Sequence, residues 1–236
     1  MSDDLTREDL HLNADRLVED LLAAAGVTQP PVDALVVARH LGMTIREESP
    51  GESGGRPKRG AVAGVLILIA GASEEARQWT AALVVGDRLK PELMRRLGLD
   101  PASRRPLTGE SFTDLIARRL LTPTAWFADD ARASSWDVPA IQRRYATATL
   151  ELAAWRLLDL TEPCIITIVE GDHVQRRRSN AWRVNKTLRP AECECQRYVH
   201  HYSRPRVVAA DGWTVQGWPV HQPDWKREIL RSVVDV

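Results

Sequence analysis

Glu75-Ala76-Arg77-Gln78-Trp79-Thr80-Ala81-Ala82-Leu83-Val84-Val85-Gly86-Asp87 reads as the middle of a helix, and the fold follows from what kind of helix it is. Ala76, Trp79, Leu83 and Gly86 recur at spacings of three and four, which places them on one face; Thr80, Val84 and Asp87 stand nearby in the same way. The helix is expected over residues 74–89. A short continuation over 91–97 is expected to close at Gly98. Leu83 and Asp87 are four residues apart, the separation at which two side chains on a helix can reach one metal ion.

The letters around those positions are informative. Arg77, Trp79, Thr80, Ala82 and Gly86 resemble the R-x-F-T-x-A-H-E-x-G-H helix of the ImmA/IrrE family of metallopeptidases. Glu110-Ser111-Phe112-Thr113-Asp114-Leu115-Ile116-Ala117-Arg118-Arg119-Leu120-Leu121-Thr122-Pro123 is similar to that family's E-x-x-A-N-x-F-A-x-x-L-L-M-P segment. The opening also resembles the family: a helix over 5–25, then Pro30-Pro31-Val32-Asp33 and a short helix ending at Leu41-Gly42. The resemblance implies a zincin-like fold. It further implies a cytoplasmic zinc endopeptidase that cleaves a repressor or regulator, often one with a helix-turn-helix. In the alignment Leu83 and Asp87 take the two histidine positions, Val84 takes that of the general base, and Glu110 takes that of the third ligand.

This chain therefore keeps the frame and lacks the chemistry. Asp87 and Glu110 are the two carboxylates left at ligand positions, and a pair of carboxylates is a poor zinc site without an imidazole or thiolate. No histidine lies between His40 and His173 to substitute for the missing ones. The expectation is a pseudopeptidase that needs no cofactor and holds a regulatory protein, a helix-turn-helix repressor being one such partner. Peptide recognition would use the edge of a strand around Val65, Leu66 and Ile67, within the apolar run 61–70. Two alternatives stand beside it. One is an active zinc endopeptidase with a rearranged site; the other is a DNA-binding regulator using a helix-turn-helix-like pair over 137–160, where Arg143, Arg144 and Arg156 are available.

Composition narrows the class. Lys+Arg and Asp+Glu are both 32, so no global charge drives the chain to nucleic acid or anionic lipid. Three cysteines do not make a disulfide framework, and a cytoplasmic location is expected. The apolar run 61–72 is interrupted by Gly64 and Gly71 and is too short to span a bilayer.

The expected fold is α+β, with a helical peptidase-like domain and small sheet over 1–160 and a β-rich extension over 161–236. At Thr161-Glu162-Pro163 the pattern changes from helix to strand. Residues 164–169 with 173–177, and 207–209 with 213–215, read as two hairpins around Gly171 and Asp211-Gly212. A terminal helix is expected from Pro223. Cys193-x-Cys195 with His200-His201 behind offers a second metal motif, but surface thiols and half-exposed histidines are the preferred reading. Arg176-Arg177-Arg178 beside Trp182 and Arg183 could meet phosphate, yet alternate residues of a strand face opposite ways. Trp182, Trp213, Trp218 and Trp225 are read as core and interface filler.

Overall fold

A computed structural model describes residues 6–49, 64–100, 111–222 and 224–235. Among them the chain forms eight α-helices, a two-stranded parallel sheet and a five-stranded antiparallel sheet, an α+β arrangement. The fold divides into two compact units. The first is residues 1–127 with 144–148, and the second is 128–143 with 149–236.

In the first unit α1 (Arg7–Ala24) buries Leu10, Ala14, Leu17, Val18, Leu21 and Leu22, the stripe its sequence spacing sets. Thr6 caps it by accepting from the Asp9 amide, while Asp9 accepts from the Thr6 amide in return. α2 (Ala34–His40) is capped by Asp33, whose Oδ1 accepts from Leu35 N–H at 2.8 Å. β1 (Thr44–Glu48) and β2 (Val65–Ile69) pair in parallel, Thr44 opposite Val65 and Glu48 opposite Ile69.

The central helix, α3 (Glu74–Arg96), differs from expectation in two respects. It runs unbroken through Pro91, so the two expected helices are one. Proline removes one N–H and crowds the preceding turn, which packing on both sides of the position here outweighs. Its buried stripe is Gln78, Ala81, Ala82, Val84, Val85 and Gly86, then Leu93 and Met94, so Ala76 and Trp79 do not lead the core face. Gln78 is 1% exposed and ties α3 to the start of α2: its Oε1 accepts from Ala34 N–H at 2.7 Å, and its Nε2 donates to Asp33 at 3.0 Å.

α4 (Phe112–Leu121) lies along α3 and is capped by Ser111, whose Oγ accepts from Asp114 N–H at 3.2 Å. The approach is close because residue 86 is glycine. A Cβ there would stand 2.6 Å from the Thr113 carbonyl oxygen. α4 is also clasped to α1, where the buried Arg119 guanidinium reaches Asp15 at 3.0 Å and Thr124 Oγ1 donates to the same carboxylate at 2.6 Å.

α5 (Thr124–Ala133) follows Pro123. In the second unit, α6 (Val138–Arg144) and α7 (Leu150–Arg156) precede a sheet ordered β4-β3-β7-β6-β5. Its strands are β3 (Ile165–Glu170), β4 (His173–Ser179), β5 (Arg206–Ala210), β6 (Trp213–Pro219) and β7 (Arg227–Val234). The two expected hairpins are present, with Ile166 opposite Arg178 and Val208 opposite Val215.

Two elements overturn the sequence reading of the tail. The expected terminal helix is instead β7, the central strand, paired to β3 on one side and β6 on the other. Its polar residues Glu228, Arg231 and Ser232 are all buried and bonded inside the fold, where a solvent-facing helix side would be open to water. Residues 190–202 form a further helix, α8 (Pro190–Tyr202), beyond the elements expected from sequence. Its signal is Ala191, Cys195 and Val199 at i, i+4 and i+8, with Pro190 in the first turn. These three pack on Val169, Val208, Val215 and Leu230 of the sheet.

A buried ion pair anchors α8. Glu192 is wholly buried and accepts from Arg177 Nη2 at 2.9 Å, Ser232 Oγ at 2.6 Å and the Arg189 amide at 2.8 Å. Arg177 Nη1 donates to Thr167 Oγ1 at 2.8 Å. Arg177 therefore faces inward, while Arg176 and Arg178 are exposed.

Candidate functional site

Trp79, Leu83 and Asp87 follow one another at i, i+4 and i+8 along α3, grading from half-buried to exposed. This is the line on which the resemblance puts two metal ligands. Leu83 presents hydrocarbon. Asp87 is exposed and held, Thr113 Oγ1 donating to its Oδ1 at 2.6 Å. Val84, at the general-base position, is 5% exposed and belongs to the core. A carboxylate there would have to enter that core.

Glu110, the third ligand of the resemblance, lies outside the described residues. Arg77 pairs with Glu47 of β1 at 2.7 Å and lies 3.8 Å from Glu74.

The proposed recognition strand is present as β2, and its hydrogen-bond parity can be read. Thr44 N–H donates to Gly64 O, and Ala70 N–H donates to Glu48 O. In a parallel ladder this alternation directs the backbone groups of Leu66 and Leu68 to β1, and those of Val65, Ile67 and Ile69 to the other edge. Among the described residues no strand pairs with that edge. Of the three residues singled out, Val65 and Ile67 are half-buried and offer outward groups, whereas Leu66 is fully buried and serves the core.

The other sequence candidates separate. Arg156, counted as available to DNA, is fully buried and paired with Asp159. Arg143 and Arg144 are exposed. Cys193 and Cys195 stand two residues apart on α8, about 200° around the helix axis. Cys195 is fully buried beneath the sheet, and burial pushes its thiol up to about 12. Burial likewise pushes the Cys164 thiol up to about 11, despite the nearby Arg231. His200 Nδ1 is engaged with Glu228 at 2.8 Å. The three tail residues considered for zinc are thus not brought together.

Of the tail tryptophans, Trp218 is 4% exposed and fits the filler reading, whereas Trp182 is 38% exposed and meets Trp213 edge-on at 5.9 Å. The Arg189 guanidinium lies 3.8 Å above the Trp213 ring. Sequence reasoning passed over a set that the fold assembles. Glu228 of β7, His200 of α8, His221 and Ser203 form one hydrogen-bonded chain.

No family model matches the chain, and no curated protein matches it in sequence. Among solved structures it is similar to a Mycobacterium tuberculosis transcriptional regulator, with a TM-score of 0.62 and 15% sequence identity over 96% of this chain and 76% of that one. The likeness is one of fold. No helix among the described residues is long and apolar enough to cross a membrane.

Proposed function

We propose that the chain is a non-catalytic counterpart of the ImmA/IrrE metallopeptidases, a regulatory module that binds a protein partner without cutting it. The observation that carries this is the state of α3. The first ligand position is hydrocarbon, the base position is core, and the second ligand position is a carboxylate already hydrogen-bonded to Thr113. A catalytic zinc needs ligands that converge and a base that faces the metal-bound water. A regulatory role also agrees with the fold being shared by a protein described as a transcriptional regulator.

Binding would run along β2. Val65, Ile67 and Ile69 turn donors and acceptors outward, and an extended segment of a regulatory protein can pair with them as an added strand. Ile67→Pro removes one outward N–H and leaves the bonds to β1 intact. A partner captured from the native cell by the intact chain should bind folded Ile67→Pro protein at least about tenfold more weakly, the worth of roughly one to two kcal/mol for one backbone bond and its neighbours. Circular dichroism checks that the variant folds. Unchanged binding of that partner, or recovery of none, counts against the reading.

A further inference from the structure

The C-terminal unit carries a hydroxyl–imidazole–carboxylate chain. Ser203 Oγ lies 2.9 Å from His221 Nδ1, and His221 Nε2 lies 2.9 Å from Glu228 Oε1. The same carboxylate oxygen is 2.8 Å from His200 Nδ1, and Gln196 Nε2 donates to the other oxygen at 3.3 Å. Burial is graded along the chain: Glu228 is fully buried, His221 is 12% exposed, and Ser203 is exposed. The segment between β6 and β7 is held where this needs it, with Val220 N–H donating to Arg227 O at 2.7 Å and Gln222 bridged to Trp225.

With Glu228 ionised, the donors and acceptors of the network follow. An ionised carboxylate only accepts, so both His221 Nε2 and His200 Nδ1 carry protons toward Glu228. In neutral His221 the unprotonated nitrogen is then Nδ1, placed 2.9 Å from Ser203 Oγ to accept from its hydroxyl. A hydroxyl bonded to a basic imidazole, itself oriented by a buried carboxylate, is the arrangement that turns serine from a weak nucleophile into an active one.

Backbone geometry adds an independent mark. Ser203 closes α8 in the left-handed region, at φ 52° and ψ 37°, and its N–H donates to Val199 O at 2.9 Å. Glycine or asparagine ordinarily takes such a position, because a side chain is strained there. A serine there holds its hydroxyl at the end of the helix, exposed to solvent.

We propose that Ser203 is a nucleophile activated by His221 and Glu228, which accepts an acyl group from an activated ester. Ser203 Oγ bonds the carbonyl carbon as its proton passes to His221 Nδ1. The bond from that carbon to the leaving oxygen then breaks, and the oxygen departs with the electron pair. His221 returns its proton to the leaving group or to solvent, and Glu228 stays ionised throughout. This goes beyond the partner-binding role and uses none of its residues.

The test is p-nitrophenyl acetate added to the intact chain, with nitrophenolate release followed and the acetylated residue located by mass spectrometry after an acid quench. One equivalent of nitrophenolate and one acetyl group on Ser203 are expected. Ser203→Gly, which suits the left-handed backbone and so should fold, should lose the adduct. His221→Asn should slow acetylation of Ser203 by about a hundredfold or more, the range for a positioned general base. Acetyl groups scattered over lysines and tyrosines with none on Ser203 would overturn the proposal. So would an undiminished rate in folded His221→Asn protein.

Discussion

Glu192→Ala is expected to destabilise the C-terminal unit by about 3–5 kcal/mol, the cost of leaving one member of a buried ion pair without its partner. Arg177 and Glu192 are 2% and 0% exposed, so water cannot replace what is lost. The Ser232 hydroxyl and the Arg189 amide would lose their acceptor as well. Urea unfolding followed by tryptophan fluorescence measures the change. Arg177→Met with Glu192→Met should recover much of it, since burying hydrocarbon avoids the desolvation of both charges. If Glu192→Ala unfolds at the same urea concentration as the parent, the anchor assigned to α8 is wrong.

The second large effect is expected at Gly86. A methyl group there meets the Thr113 carbonyl oxygen at 2.6 Å, and that oxygen is backbone and cannot rotate aside. α4 would have to move off α3 for Gly86→Ala to be accommodated. A cost of about 1–3 kcal/mol follows for alanine, as for other overpacked sites, with more for valine. Alanine is otherwise the better helix former by about 1 kcal/mol, so a destabilised Gly86→Ala protein reads the helix contact directly. A stabilised one would show that α3 and α4 sit farther apart.

Gly86 also shows how much of the fold the sequence made legible. A glycine within a helix one residue before a ligand position was part of the resemblance, and the structure supplies its local reason in the close passage of α4. The helical stripe of α1 and both tail hairpins were readable from spacing and turn residues alone. The failures share a cause. β7 carries Glu228, Arg231 and Ser232, and polar residues at helical spacing look solvent-facing until their partners are known. Those partners are His200, His221, Gln216 and Glu192, up to forty positions away in sequence. α8 was missed for the complementary reason: its two cysteines and two histidines suggested metal chemistry and hid an i, i+4 apolar stripe.

At the candidate site, the identity of the residues on α3 was legible and their burial was not. Sequence alone placed Leu83, Val84 and Asp87 at motif positions. It did not show that Val84 is core or that Asp87 is tied to Thr113. Val65, Leu66 and Ile67 are likewise read as one edge in sequence, whereas strand parity turns the Leu66 backbone groups to β1 and its side chain is buried in the core. The Ser203–His221–Glu228 chain had no local signature, because its members come from a helix end, a loop and a strand.

Zinc titration of the intact chain beside Leu83→His/Asp87→His protein tests the central claim most directly. Two imidazoles at i and i+4 on α3 suit one zinc ion, and the parent residues there do not. The expected result is one additional equivalent of tightly bound zinc in the double variant, and none in the parent that depends on Asp87. A parent zinc equivalent abolished by Asp87→Ala would contradict the account, as would a folded double variant that takes up no more zinc than the parent.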